Sequence, residues 1–167
     1  MNRQGNNQGV ALIEVLISLL IFSLGVLGLS GLQSEAIRIT HDSSQRSHAT
    51  WLAHEATERM KVNPQAVESG EYQSQSSTAS TDIVTYCNSS PPSCIGATCT
   101  PTNMARFDVH ELMCDSSGLI NQQLTIACSA TPCITGSMLD ITVSWDSRAA
   151  VAGLFASRQQ LRIRARQ

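Results

Sequence analysis

Aromatic side chains make up only 4% of the 167 residues, so a core must be assembled mainly from aliphatic groups. An excess of one charge is also missing. Lys and Arg number 11 against 13 Asp and Glu, and that near balance excludes a molecule drawn to nucleic acid by a basic surface. No Gly-rich phosphate loop and no G-x-S-x-G elbow occur. His41, His48, His54 and His110 fall in no C-x-x-C or H-E-x-x-H pattern, and His48 and His54 are spaced too far apart to share a helix face. The expectation is a chain with no metal, no cofactor and no enzymatic activity. The length allows one modest domain beside a separate apolar segment.

Cysteine is absent from the first half of the chain. All six cysteines, Cys87, Cys94, Cys99, Cys114, Cys128 and Cys133, lie in the second half. An even count confined to the region beyond an apolar segment reads as disulfides in an oxidising compartment. Six cysteines allow fifteen pairings. Cys128 and Cys133 stand across a short turn and are expected to pair. The other four are expected to pair among themselves, in an order the spacing does not choose.

Charge is absent from residues 10–32 as well, with one exception: Glu14. The run is long enough to span a bilayer as a helix, since about 20 residues suffice. It is too long for the 7–15-residue apolar core of a secretory signal, and no small-residue cleavage site follows. A plain membrane anchor fits the length and leaves Glu14 without a role, although a lone carboxylate near a bilayer interior costs roughly 2.5–3.5 kcal/mol. It also leaves unexplained the Gly9 that immediately precedes the run.

Gly9-Val10-Ala11-Leu12-Ile13-Glu14 resembles the processing motif of type IV prepilins, in which a Gly precedes an apolar run with Glu at its fifth position. The following LISLLIFSLGVLGLSGLQ is similar to a pilin N-terminal helix. The resemblance implies cleavage by prepilin peptidase between Gly9 and Val10, on the cytoplasmic side, and methylation of the new amine. Val10 stands where the family usually has Phe. Arg3 is the one basic residue of the leader and agrees with a cytoplasmic N-terminus. Val10 and Glu14 are i and i+4 on a helix and so share a face. The resemblance gives Glu14 an assembly role, pairing with the amine of a neighbouring subunit in a low-dielectric core. The alternative is a carboxylate that snorkels to the interface.

Beyond the run, Leu32, Ala36, Ile39, Ala49, Leu52, Ala53, Ala56 and Met60 recur mostly at helical spacing. Glu55 with Arg59, and Glu58 with Lys61, sit at i+4 and i+3. Asn63-Pro64 stops the pattern. A helix over residues 10–62 would be roughly 80 Å long. Gly25, Gly28 and Gly31 suit either close helix packing or the local unwinding that pilins undergo on entering a filament. Residues 65–81 read as a polar loop with a short strand at Tyr72, residues 82–86 as a strand, and residues 88–100 as a turn-rich loop. Pro101 opens a helix over residues 102–114. Alternation predicts strands around Leu124 to Cys128, Leu139 to Trp145 and Leu161 to Ala165.

Arg162, Arg164 and Arg166 form a period-2 stripe on the last strand. It reads as the solvated, pairing-averse face of an edge strand, as a subunit contact, or as a DNA-capture surface, the last lacking aromatic stacking partners.

The fold class expected is α+β and pilin-like: a long N-terminal helix packed on a small antiparallel sheet head with disulfides. The divisions are a removed leader over residues 1–9, a transmembrane and filament-core helix over 10–32, its amphipathic continuation over 33–63, and a head over 64–167. The segments ERMKVNP, MARFDVHEL and DITVSW are similar to those of PilV-type minor pilins, and six cysteines exceed the usual major-pilin pair. The resemblance implies a minor pilin supporting pilus assembly, adhesion and motility. A minor pseudopilin of a type II secretion system, or a displayed binding module for DNA or surfaces, are the alternatives. Implied partners are other pilins, prepilin peptidase, the inner-membrane assembly machinery and a tip adhesin; no nucleic-acid partner is expected. The implied location is the inner membrane of a Gram-negative cell with a periplasmic head, then the extracellular pilus.

Overall fold

A computed structural model describes residues 8–114, 118–134, 136–147 and 158–166, with side chains from residue 12 onward. The chain divides into two compact units, Met1–Ser43 and Ser44–Gln167. Helix α1, Gln8–Val62, is continuous through the division.

In the first unit the apolar half of α1 carries no Pro, and its described serine hydroxyls are all met. Ser18, Ser23 and Ser30 each donate to a backbone carbonyl of the preceding turn, those of Glu14, Leu20 and Leu27, at 2.8 Å. Turning hydroxyls inward in this way suits a helix meant for hydrocarbon, where no water would satisfy them. The helix runs unbroken through Gly25, Gly28 and Gly31, and the space beside each is open.

The second unit begins with the C-terminal part of α1. Burial starts at Gln45 and Ala49 and continues through Leu52, Ala53, Ala56 and Met60. The expected stripe is therefore buried only in its later members; Leu32, Ala36 and Ile39 are exposed. Pro64, which has no N–H to continue α1, opens a short α2, Pro64–Glu68. After it come α3, Glu71–Thr81, α4, Ile83–Asn88, and α5, Pro101–Cys114.

Two expectations fail here. Residues 65–81 are helical rather than a polar loop with a strand at Tyr72. Tyr72, Ser76 and Ala79 are buried at i, i+4 and i+7, a helical stripe disguised because two of its members are small and one is polar. Residues 82–86 are not a strand. Asp82 caps α4 by accepting from the Thr85 N–H at 3.1 Å, and that cap overrides the β preference of Ile83, Val84 and Thr85. A bond from the Thr85 side chain, with backbone bonds from Thr85 and Val84, holds the exposed Asp82 carboxyl below its ordinary value.

The three strands β1, Ile120–Cys128, β2, Met138–Asp146, and β3, Arg158–Arg166, lie where alternation places them. They form one antiparallel sheet in the order β1-β2-β3. Its register stacks like with like on the inner face: Leu124, Val143 and Leu161 form one row, and Ile126, Ile141 and Ile163 the next. Against these rows pack the buried residues of α1 and, from α5, Ala105, Val109, Leu112 and Met113. The architecture is α+β and pilin-like, with a long N-terminal apolar helix, a small three-stranded sheet and three disulfides.

Candidate functional site

The N-terminal segment is helical from Gln8, so Gly9, Val10 and Glu14 all lie on the first turns of α1. Met1 to Asn7, Arg3 included, lie outside the described residues, as does the Val10 side chain. Helical geometry places Glu14 one turn beyond Val10 on the same side. Its carboxylate is exposed, and it has no ion-pair partner among the described residues. Around it Leu12, Ile13, Val15, Leu16 and Ile17 are exposed at 54–66%. The helix has a window of mean hydropathy 2.5, none of it covered by this chain. Chemically this is one anionic group on an apolar rod, long enough for a bilayer and short of a cation.

The arginine stripe is on the exposed face of β3, at the sheet edge. It is not a free positive patch. Arg162 donates to Asp140 at 3.1 and 2.6 Å, and Arg164 donates to the same carboxylate at 2.8 Å. Asp140 is directly opposite Arg164 and diagonal to Arg162 across β2 and β3. The bonds from the two guanidinium groups, Arg162 and then Arg164, hold the Asp140 carboxyl below its ordinary value, and Asp140 in turn raises Arg162. Arg158 stands 3.8 Å from Asp146. Arg166 is exposed at the end of the row. With Asp140 and Asp146 set among these arginines, the stripe is a laced ion-pair surface with a reduced pull on phosphate.

The cysteines pair as Cys87–Cys114, Cys94–Cys99 and Cys128–Cys133. The first ties α4 to the end of α5. The second closes the turn-rich loop on itself. The third fastens the connection from β1 to β2.

One cluster escapes the sequence reading. Arg59 donates to Glu55 on its own helix, at 2.7 Å, and across the core to Asp108 and Glu111 of α5, both at 3.0 Å. Asp108 is buried and also accepts from the Tyr72 hydroxyl of α3, which receives a bond from Asn63 at 3.4 Å. Burial alone would lower Arg59, yet three carboxylate partners raise it above its ordinary value. Burial raises Tyr72, and the bond to Asp108 raises it further. The i,i+4 pair of Glu55 and Arg59 is visible in sequence. Asp108 and Tyr72 carry no local signal that they would meet it.

Two family models match the chain. One, described as a prokaryotic N-terminal methylation motif, matches residues 4–30. The other, described as type IV pilin Tt1218, matches residues 31–110. No curated protein and no solved structure matches significantly.

Proposed function

We propose that this chain, which is a type IV prepilin, serves as a minor pilin. A prepilin with this motif is processed by prepilin peptidase and assembles with other pilins. In the proposal the peptidase removes residues 1–9 and methylates Val10. Residues 10–32 hold the subunit in the membrane, with the head in the periplasm, until assembly machinery moves it into a filament. Glu14 then meets the Val10 amine of a neighbouring subunit. The observation that carries this is the methylation motif joined directly to the pilin match, with an exposed Glu14 one helical turn from Val10. In hydrocarbon an unpaired carboxylate is costly and an amine partner is worth much more than in water. Assembly is thereby given a register as well as an apolar drive. Three disulfides support a specialised, low-copy subunit over the bulk one.

The test compares wild type with Glu14→Ala in cells lacking the native chain, with membranes and sheared filaments analysed separately. The mature mass should begin at Val10 and carry one methyl group. Glu14→Ala should reach the membrane at the wild-type level and fall several-fold in filaments, and wild type should be scarce beside the bulk subunit. A mass beginning at Met1 would restore the plain anchor. Normal incorporation of Glu14→Ala would remove the pairing role, and bulk abundance would remove the minor assignment.

A further inference from the structure

A cleft of about 720 Å³ opens on the head among α3, α4, the residues just after α4, and α5. That is within the roughly 300–1,000 Å³ typical of ligand sites. Its α4 and α5 walls are held together by the Cys87–Cys114 bond, so the cleft is a braced feature of the fold. We infer that it binds a neutral saccharide.

The lining carries the argument. Tyr86 presents a ring, and Pro91 and Pro92 add apolar edges beside it. Around them stand side-chain hydroxyls and an amide, among them Thr78, Thr85 and Gln75. The Thr78 hydroxyl donates to the Ser74 carbonyl at 2.9 Å and the Gln75 amide to Glu71 at 3.0 Å, so these groups meet a ligand chiefly with oxygen acceptors, to which sugar hydroxyls donate, while the C–H face of a sugar ring covers an aromatic surface. The Tyr86 hydroxyl reaches Gln75 at 3.5 Å, a long bond that a ligand hydroxyl would improve on. His110 lies 5.8 Å from the Tyr86 ring, and its shielded Nε2 has no hydrogen-bond partner among the described residues. A small turn of that ring would offer the nitrogen to a ligand and remove the cost of leaving it unmet.

Charge argues for a neutral ligand. Arg106 on the α5 wall lines the cleft but is paired with Glu71 at 3.3 Å, and Asp82 lines it from the start of α4. Signs are mixed, so an anion gains little. An extended peptide fits less well, because it calls for backbone partners in series and the groups offered are side chains on three separate elements.

This goes beyond the assembly role and does not depend on it, since the test uses the full chain in detergent and no filament. The protein is applied to an immobilised array of neutral and acidic oligosaccharides and of proline-rich peptides, and hits are measured by calorimetry. A neutral oligosaccharide should bind with little dependence on salt. Tyr86→Leu should weaken it roughly tenfold, the scale of one lost ring contact. Thr85→Arg places bulk at an exposed position on the α4 wall and should reduce binding even if Tyr86→Leu fails to fold. Absence of any saccharide hit, retention by acidic sugars alone, preference for the peptides, or unchanged affinity in a folded variant would each overturn the assignment.

Discussion

Arg59 shows how far a single residue can depend on positions remote in sequence. Its partners are four, 49 and 52 residues away. The network holds one cation against three carboxylates, and Asp108 is its buried member. Asp108→Ala should lower stability by about 2–3 kcal/mol, because it strips acceptors from both Arg59 and Tyr72 inside the core. Asp108→Asn keeps an acceptor for Tyr72 and should cost less. Glu58→Ala, which breaks only the exposed pair with Lys61, should stay within about 1 kcal/mol. Denaturant melts of the full chain in detergent order the three. Equal stability of Asp108→Ala and Glu58→Ala would mean that the network is neutral. At this scale Glu14 stands out in the sequence without any fold, as one charge in an apolar run with one Gly before it. Asp108 does not, because its meaning depends on α1, α3 and α5 converging.

Among the elements, α3 is the longest that the sequence concealed, and it closes one side of the sheet. β1 would present unpaired backbone groups along its outer edge. Instead the Ile126 N–H donates to Ser76 Oγ at 3.3 Å, and Ser80 Oγ donates to the Leu124 carbonyl at 2.7 Å. Gln123 Nε2 donates to the Ser80 carbonyl at 3.1 Å. Small hydroxyl residues let the helix approach the strand closely and satisfy it. That is why the segment reads as a Ser-rich loop: the property that suits it to a strand edge dilutes its apolar period. β1, β2 and β3 were legible because one face is apolar at every second residue, whereas α4 depends on a single capping carboxylate. Ser76→Ala should cost about 1–2 kcal/mol by leaving the Ile126 N–H unmet. Ser74→Ala, on the exposed side of α3, should change little. Hydrogen exchange at the Ile126 amide distinguishes the cause, because it should quicken selectively in Ser76→Ala. Exchange that rises evenly over the sheet would point to general loosening and count against the edge-sealing role.

At the scale of the molecule, the two units answer to different solvents. Residues 12–32 expose an almost wholly apolar surface that needs lipid or neighbouring helices, whereas the head buries its aliphatic rows and braces them with three disulfides. Few aromatics serve that head, and the chain's only two tyrosines both sit in it under constraint. Burial pushes Tyr86 up to about 12, and burial with the Asp108 bond raises Tyr72 as well. In the unfolded chain each would ionise near its ordinary value of 10. Folding therefore favours the neutral phenols: their contribution is complete below pH 10 and is lost as pH rises from there toward about 12. A titration of the full chain in detergent, followed by near-ultraviolet absorbance and circular dichroism, should show no tyrosinate at pH 10. Above it, tyrosinate should form together with loss of the head's structure. Tyr86→Phe should move that loss to higher pH, because the phenol that drives it is gone. Ionisation of both tyrosines near pH 10 with the dichroism intact would mean that neither phenol is held by the fold.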